Sequence, residues 1–360
     1  MRVLVMAGGT GGHIFPALAV AQRLAAQGHN VHWLGTPNSM EARITQANGI
    51  PMHMVSISGL RGKGWLRQII APFRLLLALL QSLWVMLSFS PDVVLGMGGY
   101  VTGPAGIAAW LLRKRLVIHE QNAIAGMTNK ILAKFSYRVL TAFPNSFPPL
   151  VPAKITGNPV REDFYKLLPP EKRFRKTSNN AALKILVLGG SGGAQALNNI
   201  LPQLIKSWDL PQKIMVWHQT GSKHLHKAQQ AYLDANINIE SNNIKVVDFI
   251  HDMPNAYAWA DIVICRAGAL TIAEIAATGV ASILIPFPYA VDDHQTKNAQ
   301  YLVQANAAVI IPEAELSVTK LRELLTNFAI DQNKLLTMAK SAYSLAKPES
   351  LEQVVAYCLS

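Results

Sequence analysis

The 360-residue chain has only two cysteines, Cys265 and Cys358, and they form no CxxC pair. That excludes a disulfide framework and paired zinc-ligand spacing, and it fits a reducing compartment. Acidic residues are also few: 21 Asp and Glu stand against 33 Lys and Arg, a formal net charge of +12. Such a balance points to an anionic partner, either nucleic acid, acidic lipid or a phosphorylated substrate. Nucleic acid is the weakest of the three, because the basic residues are scattered and no aromatic-rich RNA-binding segment occurs. The opening Met1-Arg2 with four apolar residues and then glycines is too short for a signal peptide, so a cytosolic or cytosol-facing protein is expected. No DxD motif occurs.

Long apolar runs are equally scarce. The most apolar stretch, from Ile69 through Leu75 to Leu87, is broken by Pro72 and Arg74, carries Gln81 and meets Pro91. A membrane span needs roughly 20 largely uninterrupted apolar residues, so a buried or half-buried helix is expected here rather than a span. A third reading keeps the soluble fold. It rests Trp65, Ile69 and Phe73, flanked by Arg61, Lys63, Arg67 and Arg74, on an anionic membrane. Arg113-Lys114-Arg115 beside Trp110 either shares that face or is a solvated turn.

What the chain does have is a repeated glycine loop. Val3 to Ala7 reads as a buried parallel strand, Gly8-Gly9-Thr10-Gly11-Gly12-His13 as a turn, and the residues after it as a helix. Strand, glycine turn and helix together aim backbone N–H groups and a helix dipole at an anion. The pattern returns at Lys184–Leu188 followed by Gly189-Gly190-Ser191-Gly192-Gly193-Ala194. The first loop is not a dinucleotide or ATP signature. The first has Ile14 at the third glycine position, no Lys-Ser/Thr follows it, and the strand ending at Gly35 carries no acid for a ribose. Two duplicated α/β halves follow, each a doubly wound parallel sheet with ligands at the strand ends across a cleft.

Ligand-end candidates lie where further strands stop: Gly96-Met97-Gly98-Gly99-Tyr100 and His119-Glu120-Gln121-Asn122. Second-half strands are predicted at Lys184–Leu188, Ile214–His218, Ile244–Val247, Ile262–Cys265 and Ser282–Pro286. After Cys265, Arg266 to Glu274 should open a helix whose first turn binds a diphosphate. Glu274 then either accepts ribose hydroxyls or only complements the dipole. Asp292-Asp293-His294 is set aside as a metal site, since adjacent side chains rarely converge on one ion. The spacing of Leu351, Val354, Val355 and Cys358 predicts a C-terminal helix docked on a core.

Taken in order, GGTGGHIFP (8–16), SGLRGKG (58–64), PDVVLGMGGYVTGP (91–104), HEQNAIAG (119–126), GNPVR (157–161), GGSGGA (189–194), CRAGALTIAE (265–274) and DDHQ (292–295) resemble the MurG glycosyltransferases nearly end to end. The resemblance implies a GT-B fold of two Rossmann-like domains. Residues 1–160 would face acceptor and membrane, 161–342 would bind UDP-GlcNAc, and 343–360 would return to the first domain. It implies an inverting transfer of GlcNAc from UDP-GlcNAc to the 4-hydroxyl of the muramyl sugar of lipid I, giving lipid II at the cytoplasmic face of the membrane. No cofactor or metal is implied. Implied partners are the two substrates, an anionic membrane surface and proteins of the cell-wall synthesis machinery.

Carried over by position, the donor contacts are Thr10, Gly11, Gly12, Asn122, Arg161, Ser191, Ile250, Ala269, Leu270, Thr271, Ile272, Ala273, Glu274 and Gln295. Gly98, Gly99 and Tyr100 fall to the acceptor diphosphate. Two positions depart from the family pattern: Gly192 replaces a glutamine and Ala267 a serine. An attacking sugar hydroxyl needs a base with a pKa near neutral, which makes His13 the candidate, against a role in binding phosphate or orienting the loop; Glu120 is in reserve. The rival readings are a diacylglycerol glucosyltransferase, a UDP-GlcNAc 2-epimerase, or a non-enzymatic nucleotide-sugar-binding module.

Overall fold

The computed structural model describes residues 1–57, 65–174, 182–190, 192–239, 241 and 243–360, and for 65–69 the helical backbone only. Two compact units result, Met1–Arg161 with Glu349–Ser360, and Glu162–Pro348.

The first unit is built on β1 (Arg2–Met6), β2 (Asn30–Gly35), β3 (Met52–Met54), β4 (Val93–Gly96), β5 (Arg115–Glu120), β6 (Arg138–Thr141) and β7 (Lys154–Ile155). All pair in parallel, in the order β3-β2-β1-β4-β5-β6-β7. Parallel sheets are covered on both faces, which is why β1 and β4 read as continuous apolar runs. Helix α1 (Gly11–Ala26) and the C-terminal helix Ser350–Leu359 cover one face. The other carries α3 (Trp65–Phe89), α4 (Thr102–Leu111) and, at its side, α5 (Met127–Leu132).

The C-terminal helix buries Leu351, Val354, Val355 and Cys358, the leucine and the two valines each contributing about 1.5–3 kcal/mol as an upper estimate. Arg23 pairs with Glu352 at 2.6 Å, and Arg115 donates to the Cys358 carbonyl at 3.2 Å. The return to the first unit comes at Glu349 rather than at residue 343, because the helix Gln332–Ser344 continues inside the second unit.

The second sheet comprises β8 (Leu183–Leu188), β9 (Ile214–Gln219), β10 (Ile244–Val247), β11 (Ile262–Cys265), β12 (Ala281–Leu284) and β13 (Ala308–Ile310). It too is parallel, in the order β10-β9-β8-β11-β12-β13. The strand expected over Ser282–Pro286 is displaced toward the N-terminus and stops at Leu284, two residues short of Pro286, which has no N–H for a ladder. In both sheets the chain reverses direction beside its first strand, between β1 and β4 and between β8 and β11. Open α/β sheets bind ligands at that place.

Helix α3 is half-buried. Ala78, Ser82, Val85, Met86 and Phe89 pack inward, while Phe73 (72% exposed), Leu76, Leu80 and Trp84 (68%) face solvent. Its Ile70–Phe89 segment is long and apolar enough to cross a membrane by length and composition, at a mean hydropathy of 1.8. The inward stripe, however, lies against the sheet residues Leu4, Met6 and Val94.

Candidate active site

In the first unit the candidate residues gather at the C-terminal ends of β1, β4 and β5. Thr10 precedes the first turn of α1 with extended backbone (φ −118, ψ 157), so the helix starts at Gly11 with its first N–H groups lacking intrahelical acceptors. Thr10 is exposed, and Gly11, Gly12 and His13 are half-buried. The β4 loop lies directly on the β1 loop. Gly98 and Gly99 both have positive φ (+96 and +87), and a Cβ on Gly99 would lie 2.3 Å from the Gly8 carbonyl oxygen. A Cβ on Gly98 would lie 2.6 Å from His13 Nδ1, so only glycine lets the imidazole sit there. Tyr100 is half-buried beside them.

The end of β5 supplies His119, Glu120, Gln121 and Asn122. Side chains alternate along an extended chain, so His119 and Gln121 project to one side and Glu120 to the other. On its side Glu120, 2% exposed, accepts from Asn122 N (2.9 Å) and Nδ2 (3.2 Å) through one oxygen. Through the other it accepts from Gly126 N (3.0 Å) and Asn129 Nδ2 (2.8 Å). With both oxygens engaged, this carboxylate braces the loop 120–129. On the opposite side His13 Nδ1 meets Gln121 Oε1 at 2.9 Å, Gln121 Nε2 meets His119 Nδ1 at 3.2 Å, and His119 Nε2 meets the Gly157 carbonyl at 3.0 Å. Burial pushes the His119 pKa down to about 4, against smaller upward pulls from that carbonyl and from Glu120. Arg161, exposed, ends the unit's first stretch.

In the second unit the corresponding ends are those of β8, β10, β11 and β12. Gly189 N donates to the Gln219 carbonyl at 3.0 Å and Gly193 N to Gly190 at 3.0 Å, which folds the second glycine loop against β9. Ser191 lies outside the described residues, as do Arg61 and Lys63 and the side chains of Trp65, Arg67 and Ile69. Ile250 is buried. Ala269 to Glu274 form the first turns of the helix Ala269–Thr278, which starts where β11 ends. Ala269 and Ile272 are buried, while Leu270, Thr271, Ala273 and Glu274 are half-buried. Glu274 accepts from the buried Tyr257 hydroxyl at 3.1 Å. Gln295 Oε1 accepts from Phe287 N at 2.9 Å, which ties the loop after β12 to the helix His294–Val303. Arg266 is engaged structurally: it donates to the carbonyls of Ile285 and Pro286 and pairs with Glu313. Among the described residues no group of three or more His, Cys, Asp or Glu side chains converges as metal ligands do.

Two residues of these sites escape a reading by motif. Glu41, fully buried, accepts from Thr36 N (3.2 Å) and Oγ1 (2.7 Å) and so clasps the end of β2, where no acid stands in the strand. Its cue is Ser39, which caps helix α2 (Met40–Ala47) and turns Glu41 inward. Asn298, also fully buried, donates to the Ala267 carbonyl at 3.1 Å and fixes the turn before the helix Ala269–Thr278. Gln121, by contrast, stands in the strand-end stretch His119–Asn122 singled out from the sequence, though its bond to His13 is not readable there.

Two doubly wound parallel sheets, each with a glycine loop at the switch point, define the GT-B class of fold. The glycosyltransferase family 28 N-terminal domain matches residues 3–141 and the family 28 C-terminal domain residues 184–354. The chain belongs to glycosyltransferase family 28 and, within it, to the MurG family. A Marinobacter nauticus protein named UDP-N-acetylglucosamine--N-acetylmuramyl-(pentapeptide) pyrophosphoryl-undecaprenol N-acetylglucosamine transferase is 52% identical over 358 residues, 99% of this chain and 97% of its own. A Coxiella burnetii protein of the same name is 48% identical over 357 residues, 99% of this chain and 98% of its own. The crystal structure of Acinetobacter baumannii MurG superimposes with a TM-score of 0.83 at 40% identity, over 99% of each chain. A UDP-GlcNAc 2-epimerase from Neisseria meningitidis superimposes over 100% of each chain with a TM-score of 0.65 at 14% identity, a likeness of fold alone.

Proposed function

We propose that this chain transfers GlcNAc, with inversion, from UDP-GlcNAc to the 4-hydroxyl of the MurNAc-pentapeptide of undecaprenyl-diphosphate lipid I, giving lipid II for peptidoglycan synthesis. Full-length similarity to transferases named for that reaction supports this reading. The observation that carries the chemistry is His13, set at a helix N-terminus with Nδ1 hydrogen-bonded and its ring held against Gly98. His13 Nε2 takes the proton of the acceptor hydroxyl as its oxygen attacks the anomeric carbon, and the bond from that carbon to the UDP oxygen breaks. The second unit holds the nucleotide: Glu274 takes the ribose hydroxyls, the loop around Ser191 takes the diphosphate, and Gln295 takes the sugar. Arg161, the loop amides and the helix dipoles stabilise the departing UDP. Gly98, Gly99 and Tyr100 take the acceptor diphosphate.

The first unit rests on the cytoplasmic face of the membrane through α3, α4 and α5. Leu75, Leu76 and Leu79, with Gly103, Pro104, Ile107, Ile131 and Leu132, line an apolar groove of about 320 Å³. Between Glu41 and Glu162 the chain has thirteen Lys and Arg but only two acids, Asp92 and the buried Glu120. An apolar face set in so basic a segment suits anionic lipid. Purified protein given labelled UDP-GlcNAc tests the reaction: label should move only when a lipid I analogue is present. Sugar isomerised without acceptor would instead make the chain an epimerase.

A further inference from the structure

The polar atoms behind His13 form a line whose direction is set at its far end. The Gly157 carbonyl only accepts, so His119 Nε2, 3.0 Å away, carries a proton. His119 is fully buried and neutral, so its Nδ1 is bare. The group 3.2 Å from that bare nitrogen must donate, which assigns it as the Gln121 amide nitrogen and turns the carboxamide oxygen the other way. That oxygen faces His13 Nδ1 at 2.9 Å and has no proton to give. His13 Nδ1 therefore donates, and in the neutral ring the remaining nitrogen, Nε2, carries the lone pair. One carbonyl thus fixes the sense of three hydrogen bonds. The line is rigid: Gln121 and His119 are buried, and Asn158 Nδ2 holds the Gln121 backbone carbonyl at 3.1 Å.

We propose that Gln121 and His119 are positioning residues that lock His13 in the tautomer with its proton on Nδ1, so that Nε2 meets the acceptor hydroxyl as a base. The proposal rests on the reading of His13 as that base. Neutral imidazole in water favours the opposite tautomer, which would offer the hydroxyl a proton instead of a lone pair. In serine hydrolases a buried carboxylate does this work, and losing the correct tautomer there costs about 10⁴-fold in turnover. Here an uncharged amide does it, and orientation comes without a second charge beside a site built for anions.

The test combines nitrogen NMR of the full-length, ¹⁵N-histidine-labelled protein with steady-state kinetics. Above the titration range of imidazole, His13 should show a protonated Nδ1 and a bare Nε2, and His119 the reverse. Gln121→Met keeps the length of the side chain and removes both bonds. It should abolish the single tautomer and lower kcat roughly 10- to 100-fold, with KM for UDP-GlcNAc nearly unchanged. Gln121→Glu keeps an oxygen toward His13 and, when protonated, an O–H toward His119, so it should stay within about threefold of the parent, well above Gln121→Met. A proton on Nε2 of His13 in the unmodified protein overturns the proposal, and that spectrum decides the matter even if Gln121→Met does not fold. Equal losses in Gln121→Met and Gln121→Glu overturn it as well, by making Gln121 merely structural. Near-normal turnover of His13→Gln would instead sink the reading of His13 as base, and the nitrogen spectrum would still report the tautomer.

Discussion

The second unit carries a buried histidine whose protonation should set its acid stability. His218 on β9 is fully buried; its Nε2 donates to Asn198 Oδ1 at 3.0 Å, and its Nδ1 accepts from the Tyr232 hydroxyl at 2.9 Å. Asn198 is held by its own bond to the Thr220 carbonyl at 3.2 Å. Burial pushes the His218 pKa down to about 3 from an ordinary 6.5. Because the unfolded chain takes up this proton first, the stabilisation is complete above pH 6.5. It is lost progressively as the pH falls from there toward about 3. At pH 5, a pH 1.5 units below the unfolded pKa, the loss is about 2 kcal/mol from this group alone. Asp261, whose half-buried carboxyl is pushed up by desolvation, has the opposite sign and offsets part of the loss at the acid end. The measurement is therefore a difference. Urea unfolding at pH 7 and pH 5, read by hydrogen exchange of β8 and β9 peptides, should show His218→Gln losing about 2 kcal/mol less than the parent over that interval. Equal losses in the two proteins would refute the assignment of a neutral, proton-excluding His218.

Replacing Glu274 by Ala should weaken UDP-GlcNAc binding about 10- to 100-fold by calorimetry, the range for losing hydrogen bonds to a charged group. Tyr257→Phe, which removes only the hydroxyl donor to Glu274, should leave binding within about threefold. Gly98→Ala places a Cβ where His13 Nδ1 sits, at a φ of +96, so turnover should fall at least about 10-fold while UDP binding stays normal. Exchanging the exposed Leu80 and Trp84 for Ser should cut binding to anionic vesicles by about 10-fold or more and leave the fold intact, since neither packs inward. Parent binding should itself weaken with salt; equal binding to neutral vesicles at any salt would argue against the membrane face.

Most of the sheet architecture is legible in the chain, because a parallel strand buried on both faces leaves a continuous apolar run and the glycines punctuate its end. Val3–Ala7 and Lys184–Leu188 are such runs, and each proves to be the strand beside which its sheet reverses. Short β13 leaves little trace, since Ala308–Ile310 is three residues long and only Ala308 is buried. Helix α3 shows a subtler limit. Its apolar residues run almost all the way round, so periodicity does not separate the stripe Ala78-Ser82-Val85-Met86-Phe89, which packs on the sheet, from Phe73, Leu76, Leu80 and Trp84, which do not. At the candidate site the loops are readable as motifs, but what holds them is not. Asn298 braces the turn at Ala267, 31 residues away in sequence, and no local pattern announces a contact between residues 13 and 121.

The two glycine loops look alike in sequence, yet only one ends in a group able to move a proton, and the polar chains behind them explain why. Each unit has a buried neutral histidine near the C-terminal end of a strand, His119 on β5 and His218 on β9, and each ring bonds through both nitrogens. In the second unit the chain runs from the Tyr232 hydroxyl through His218 and Asn198 to the Thr220 carbonyl and closes on buried atoms at both ends. It can only stiffen the core, and its proton has no path to a ligand. In the first unit the chain starts on the Gly157 carbonyl but ends on His13, a half-buried ring at the start of a helix. On the proposed role of His13, the same element, a neutral histidine wired to backbone, is structural where its line ends in the core and serves the reaction where its line ends at the loop. With His13 as the proposed base, the duplicated fold assigns proton transfer to one loop only: His13 closes the first where Ala194 closes the second, and the one other change between them is Thr10 to Ser191.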